Sequence, residues 1–246
     1  MMAESAVDNV RAVILAGGKG MRLRPLTTVL PKPLVPLGNK PILEVLMRRL
    51  GSFGLKDISI CTGYLAEIIM AVCGDGSKYD ARISYSGEEK PLGTAAPLAR
   101  IPDLPETVIV MNGDLLTTLD FGKMIEFHKA QQADFTIGVY KRDVKIDFGV
   151  VQSDDDGLFT GFIEKPTYHY EVSMGVNVIN REVIAGIDPD EYLDMPDLIQ
   201  RVHDQGGKVA LYREDCYWLD IGRMDDYATA QEEFAGMEDQ FLGIKK

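Results

Sequence analysis

The sequence predicts an α/β fold: a mostly parallel central sheet flanked by helices, with a smaller β-rich part in the second half. Three observations carry that expectation. Apolar, strand-like runs alternate with helical patterns through the first half. The first such run passes directly into three closely spaced glycines, as a strand does when it enters a phosphate-binding turn. At 246 residues the chain can bury one large layered core, and no linker, repeat or low-complexity tract divides it.

In order, the strand-like runs of the first half are Arg11–Ala16, Asp57–Thr62, Arg82–Ser86 and Thr107–Asn112. Helical patterns lie between them at Ile42–Phe53, Ala66–Cys73 and Leu92–Ile101, and Lys40-Pro41 places a proline where a helix begins. This half, about residues 10–115, reads as a Rossmann-like nucleotide unit. The second, about 116–234, is richer in β signals: Asp134–Tyr140 alternates, and Gly149–Gln152 is separated from Phe159–Ile163 by Ser-Asp-Asp-Asp-Gly. That acidic run resembles an Asp-x-Asp metal motif, but Asp156-Gly157 between two strand-like runs is a hairpin signal, and it is read as a turn. Val172–Asn180 and Lys208–Arg213 complete the strands, Pro196–Gln205 is a helix, and Met224–Phe234 a closing helix.

Composition narrows the function. A formal charge of −12 argues against nucleic acid as a partner. No apolar run approaches the roughly 20 residues of a spanning helix, so no membrane is expected. The start, Met1 to Asn9, is polar and acidic and does not read as a secretory signal. Cys61, Cys73 and Cys216 are widely spaced, which favours reduced, mostly buried thiols and a cytoplasmic protein.

The chemistry concentrates in Ala12-Val-Ile-Leu-Ala-Gly-Gly-Lys-Gly-Met-Arg-Leu-Arg-Pro-Leu-Thr27. Gly17, Gly18 and Gly20 let backbone N–H groups close on phosphate oxygens, and Arg22 and Lys32 add the positive charge a polyanion needs. It is not a Walker loop, because Lys19 is followed by Gly20, nor the dinucleotide fingerprint, because Leu23 stands where its last glycine belongs. Asn112-Gly113-Asp114 follows an apolar strand, where open α/β sheets bind ligands. Trp218-Leu-Asp-Ile-Gly222 ends another apolar run. Two carboxylates so placed can hold Mg²⁺ together with phosphate oxygens.

The stretch LAGGKGMRLRPLTTVLPKPLVPLGNKPILE closely resembles the signature of the sugar-1-phosphate nucleotidyltransferases, and the resemblance covers roughly Val10 to Phe234. It implies a single catalytic domain over 1–246 without a C-terminal β-helix, NTP and sugar 1-phosphate as substrates, Mg²⁺ as cofactor and a homo-oligomer. It places Leu15, Ala16, Gly17, Gly18, Gly20, Met21, Glu88, Gly93 and Thr94 on the nucleotide. Arg22, Lys32 and Lys165 fall on the reacting phosphates, Asp114 and Asp220 on the metal. Gly149, Glu164, Lys165 and Asn177 fall on the sugar side, the smaller β-rich half.

Glu88 would read the base. A carboxylate only accepts, and guanine offers two donors on one edge, so glutamate suits guanine better than uracil. Runs like Glu88-Glu-Lys-Pro-Leu-Gly-Thr-Ala95 resemble those of mannose-1-phosphate guanylyltransferases, although Glu88 or Glu89 could instead cap a helix starting near Leu92. Uridylyl or thymidylyl transfer to glucose 1-phosphate is the alternative. Met21 departs from the family's Thr or Ser, and Ser173-Met-Gly175 from its Asn-x-Gly, which leaves the sugar open between mannose and heptose types. A GT-A-like glycosyltransferase and a nucleotide-sugar sensor without catalysis are the other classes. Of the histidines, His128 and His203 are expected on helical patterns at the surface or its boundary, and His169 near the sugar side.

Overall fold

The computed structural model describes residues 6–88 and 90–244. The first residues of the polar start, and Glu89, fall outside them. Thirteen strands and six α-helices follow one another among the described residues. The first half contains β1 (Val10–Ala16), β2 (Pro36–Leu37), β3 (Lys40–Pro41), α1 (Ile42–Ser52), β4 (Asp57–Thr62), α2 (Ala66–Cys73), β5 (Arg82–Gly87) and β6 (Thr107–Asn112). Then come β7 (Leu115–Thr117), α3 (Phe121–Gln131), β8 (Phe135–Lys145), β9 (Val150–Ser153), β10 (Phe159–Ile163) and β11 (Thr167–Asn180). The chain closes with α4 (Arg181–Ala185), α5 (Met195–Asp204), β12 (Val209–Arg213), β13 (Trp218–Asp220) and α6 (Met224–Phe241).

Seven strands form one sheet in the order β12-β8-β11-β6-β1-β4-β5. Its pairings β6/β1, β1/β4, β4/β5 and β8/β12 are parallel, and β11 alone runs antiparallel to both neighbours. The expected mostly parallel sheet is therefore present. Both faces of β1 are buried: Ala12 and Ile14 pack with α1 residues such as Leu46 and Leu50, and Val13 packs with Val110 and Leu98 on the opposite face. A strand apolar on both faces is what a covered parallel sheet requires. Each buried Leu or Ile contributes about 1.5–3 kcal/mol, so this double burial holds β1, and the loop after it, rigidly.

Between β1 and β6 the chain order reverses: β4 and β5 lie to one side of β1 and β6 to the other. Such a switch point opens a crevice at the strands' carboxyl ends. The segments leaving β1 and β6 are the glycine-rich loop and Asn112-Gly113-Asp114.

Several elements differ from expectation. No α-helix forms over Leu92–Ile101; there is a short 3₁₀ segment, Ala96–Arg100, preceded by Gly93 in the left-handed region. Pro91, Gly93 and Pro97 interrupt the regular helix that the apolar spacing suggested. Strands β8 and β11 are longer than their predicted cores because they run on together, paired from Lys145–Thr167 inward. The acidic Asp154–Asp156 run is a hairpin turn as predicted, with Gly157 at φ +79° and β9 antiparallel to β10.

His128 is not at the boundary. It is only 2% exposed, with Nδ1 2.8 Å from Thr136 Oγ1 and Nε2 3.0 Å from Asn180 Oδ1. Burial lowers its pKa below the ordinary 6.5, while the Asn180 hydrogen bond opposes the shift. The unfolded chain therefore takes up a proton near pH 6.5 that the folded protein does not. The contribution of His128 to stability is complete above that pH and is lost as pH falls toward the lower folded pKa. Between pH 7 and pH 5 the urea midpoint of the native protein should fall more steeply than that of His128→Gln, by at most about 1.4 kcal/mol per pH unit. Parallel midpoint curves would remove the histidine from this account.

Candidate active site

A cavity of about 690 Å³ lies at the switch point. Leu15, Ala16, Gly17 and Gly18 wall one side, Glu88, Gly93 and Thr94 another, and Lys32, Asn112 and Asp114 its floor. The loops are laced to each other through backbone hydrogen bonds: Gly113 N–H donates to Leu15 O at 2.9 Å, and Tyr64 N–H to Gly17 O at 3.2 Å. Of the loop glycines only Gly20 takes positive φ, +58°, and a Cβ there would lie 3.1 Å from Lys32 Cβ. Gly20 therefore lets the loop fold down onto the lysine. Gly17 is needed for space instead, since a Cβ would meet Glu88 Oε1 at 2.8 Å.

The charged floor is assembled by an antiparallel pair outside the main sheet. β13 pairs with β7 so that Asp220 stands opposite Leu115, and Ile221 N–H donates to Asp114 O at 3.1 Å. The two motifs, far apart in sequence, thus become neighbours. Lys32 Nζ donates to Asp114 Oδ2 and lies 3.9 Å from Asp220 Oδ1. Arg22 completes the group, its guanidinium reaching 3.4 Å from where a Cβ on Gly222 would stand. Desolvation raises the Asp220 pKa and the Asp114 charge raises it further; Lys32 and Arg22 pull it back. Asp114 Oδ1 is buried without a hydrogen-bond partner.

That orphaned oxygen beside a second, cation-hungry carboxylate fits a small divalent ion. Among the described residues no three His, Cys, Asp or Glu converge into a full metal cage. A two-carboxylate site suits Mg²⁺, which retains water and phosphate oxygens as its other ligands.

Glu88 lies in the cavity wall. Its Oε2 accepts from Leu92 N–H at 3.0 Å, while Oε1 faces the Gly17–Gly63 side. The backbone contact is the one a helix cap would make, yet no α-helix follows it. Two residues that the sequence did not single out hold this wall in place. Asp194 Oδ1 accepts from Thr94 N–H at 3.0 Å and sits 3.1 Å from its hydroxyl, and Tyr192 donates to Asp194 Oδ2 at 2.8 Å. Leu193 O accepts from Ala95 N–H at 2.9 Å. No local signal marks Tyr192 or Asp194, because they arrive from the second half of the chain. Gly93, at φ +88°, has Leu193 O only 2.4 Å from where a Cβ would stand. Gly93→Ala should therefore cost about 1–3 kcal/mol and weaken nucleotide binding, read by thermal melts with and without GTP. An unchanged melting temperature would contradict this geometry.

The remaining sequence-predicted residues are not in the cavity wall. Met21 is exposed on the 3₁₀ turn behind the loop. Asn177 is buried within β11, opposite Val110 and Ile137, with its Oδ1 unpartnered. It is Gly175, two residues earlier, that borders the site, where a Cβ would meet Asn112 Nδ2 at 2.5 Å. Gly149, Glu164 and Lys165 belong to an exposed β arm; Lys165 Nζ lies 3.9 Å from Glu164 Oε1, and Phe162 covers Gly149. His169 is on the same arm, 2.7 Å from Asp143, and His203 is exposed on α5. Cys61 borders the cavity, but burial pushes its thiol up to about 12, and Cys73 and Cys216 are pushed up to about 11. None is a thiolate at neutral pH.

A glycine-walled cleft at the switch point, with Lys32 and Arg22 set against two carboxylates, defines an open-sheet α/β protein with its candidate ligand site at the carboxyl ends of the strands. The chain belongs to the nucleotidyl transferase family, whose model matches residues 11–236. It is 33% identical to a mannose-1-phosphate guanylyltransferase of Mycobacterium tuberculosis, over 93% of this chain and 65% of that one. It is equally 33% identical to a UTP–glucose-1-phosphate uridylyltransferase of Synechocystis, over 90% of this chain and 62% of that one. The chain thus spans about two-thirds or less of these relatives. The fold superposes on HddC from Yersinia pseudotuberculosis complexed with GMP-PN, with TM-score 0.71 and 27% identity over 91% of this chain and 99% of that one. No helix among the described residues is long and apolar enough to cross a membrane.

Proposed function

We propose that the protein transfers a nucleotidyl group, guanylyl in preference, from NTP to a manno-configured sugar 1-phosphate, releasing pyrophosphate. The observation that carries this reading is the convergence of Arg22, Lys32, Asp114 and Asp220 at the end of the glycine-rich loop. A sugar-phosphate oxygen attacks the α-phosphorus in line; its bond forms as the bond to pyrophosphate breaks. The attacking phosphate is already ionised at neutral pH, so the protein needs no covalent nucleophile and works by positioning and charge neutralisation.

Arg22, exposed at the cluster's rim, meets the leaving pyrophosphate. Lys32 turns from Asp114 to the α-phosphate region once nucleotide enters. Asp114 and Asp220 would hold Mg²⁺, which neutralises phosphate oxygens when bound. Lys165 and Glu164 would bind the sugar phosphate and the sugar hydroxyls, with Gly149 admitting the sugar to the backbone.

The base assignment rests on Glu88. One of its oxygens is taken by Leu92 N–H and the other faces the cavity side, which provides acceptor capacity but no donor. Relatives acting with GTP and with UTP are equally similar, so overall identity does not choose between them. The test is pyrophosphate release with Mg²⁺ across GTP, UTP, dTTP, CTP and ATP, each with hexose and heptose 1-phosphates. Fastest release is expected with GTP and a manno-configured partner. A preference for UTP or dTTP would overturn the guanine reading, and no release from protein that still binds nucleotide would overturn the enzyme.

A further inference from the structure

We propose that Tyr192 is the aromatic platform against which the base of the bound nucleotide lies. The assignment rests on the nucleotidyl-transfer reading of this cavity and adds to it a base contact supplied by the second half of the chain.

Tyr192 lines the cavity and is 65% exposed. An exposed side chain on a loop ordinarily exchanges rotamers freely. This one is tied at its tip, because its hydroxyl donates to Asp194 Oδ2 at 2.8 Å. The chain is pinned on both sides of it as well. Glu191, just before, takes Arg201 of α5 in a bidentate pair, both bonds 2.8 Å long. Leu193, just after, donates its N–H to Leu92 O at 2.9 Å and accepts from Ala95 N–H at 2.9 Å. The ring is therefore a fixed face of the wall, held in place with its surface open to the cavity.

The carboxylate that ties the ring is diverted from its own helix. Asp194 stands at the N-cap of α5 with extended backbone, φ −92° and ψ 157°. An aspartate there ordinarily accepts from an N–H of the first helical turn, yet the Asp194 side chain makes no such bond. Its Oδ1 accepts from Thr94 N–H at 3.0 Å and lies 3.1 Å from Thr94 Oγ1. Thr94 Oγ1 in turn accepts from Met195 N–H, the first of the helix, at 2.8 Å. Each segment thus caps the other across the wall. With Oδ1 engaged by Thr94 and Oδ2 by the phenol, Asp194 fixes the ring and the base-side loop as one unit.

The neighbours of the ring select the base as what it meets. Glu88, Gly93 and Thr94 line the same cavity, whereas Gly149, Glu164 and Lys165 of the sugar side do not. Glu88 offers acceptors to the edge of a base and leaves its faces uncovered. An aromatic ring covers a face, and every base has a π-face to present. Tyrosine serves well here, since it supplies a large rigid area with few torsions to freeze.

The test is calorimetric titration of the full chain with Mg²⁺ and either GTP or inorganic triphosphate, with circular dichroism as the check on folding. Tyr192→Ala should raise the GTP dissociation constant at least about fivefold, the lower end for a lost base–aromatic stack. Its affinity for inorganic triphosphate should be unchanged, because the phosphates meet other residues. Tyr192→Phe keeps the ring and should retain most of the GTP affinity. In turnover, the loss in Tyr192→Ala should appear in KM for the nucleotide more than in kcat, as contacts shared by ground and transition states do. An unchanged GTP affinity in Tyr192→Ala would overturn the assignment and leave nucleotidyl transfer standing. An equal loss for GTP and inorganic triphosphate would also overturn it, since the variant would then have damaged the wall as a whole. So would a loss confined to KM for the sugar 1-phosphate, which would place the ring on the other substrate. A native chain that binds no nucleotide would sink the reading beneath the proposal, and the proposal with it.

Discussion

Replacement of Arg22 by alanine is expected to reduce kcat about 100- to 1000-fold while leaving the melting temperature nearly unchanged. The side chain is exposed on the 3₁₀ turn after Gly20, and its removal opens no cavity, so the stability change should stay within about 0.5 kcal/mol. Its field reaches the Asp220 carboxyl, which places it at the rim of the phosphate site. A group that meets charge developing on the leaving pyrophosphate acts more strongly in the transition state than in the ground state. The loss should therefore appear in kcat more than in KM. A variant with kcat within threefold of native would remove Arg22 from the mechanism.

Asp114→Asn should have the other large effect, and on two observables. It keeps shape but removes the charge from the half-buried carboxylate that faces Lys32 and offers the buried, unpartnered Oδ1. Mg²⁺ affinity, titrated calorimetrically with a non-hydrolysable GTP analogue, should fall at least about tenfold, and kcat by about two to three orders of magnitude. Stability should also fall, because Lys32 loses its closest counter-charge. Breaking a buried pair on one side costs about 3–5 kcal/mol; the Lys32 and Asp114 side chains are partly exposed and Asp220 remains 3.9 Å from Lys32, so a smaller loss is expected. Unchanged Mg²⁺ affinity would show that this carboxylate does not hold the ion.

Much of this architecture was legible in the sequence because it depends on local periodicity and local chemistry. β1 and β6 are nearly continuous apolar runs, as strands covered on both faces use, while β4 and the edge strand β5 alternate apolar with polar residues. Gly17 to Arg22 could be read as a phosphate loop because its residue types leave few other uses. The hairpin at Asp156-Gly157 was equally local. The absent helix over Leu92–Ile101 shows the limit: apolar spacing suggested it, but the prolines and the left-handed Gly93 held against Leu193 left only a 3₁₀ segment. The burial of His128 was not legible either, since its partners Thr136 and Asn180 lie on β8 and at the end of β11.

What the sequence by itself determined is therefore the elements and the inventory of the site: a parallel-sheet core, a glycine-rich loop, two cations and two carboxylates. Tertiary structure decided which of them meet. It joined Asp114 to Asp220 through the β7–β13 pair, brought Asp194 and Tyr192 behind Thr94, placed Gly175 rather than Asn177 beside Asn112, and left Glu164 and Lys165 on an exposed arm. The reason is physical. A turn or an amphipathic strand is set by interactions within a few residues, whereas the distance between two carboxylates is set by sheet order and strand register, which are decided by packing over the whole chain.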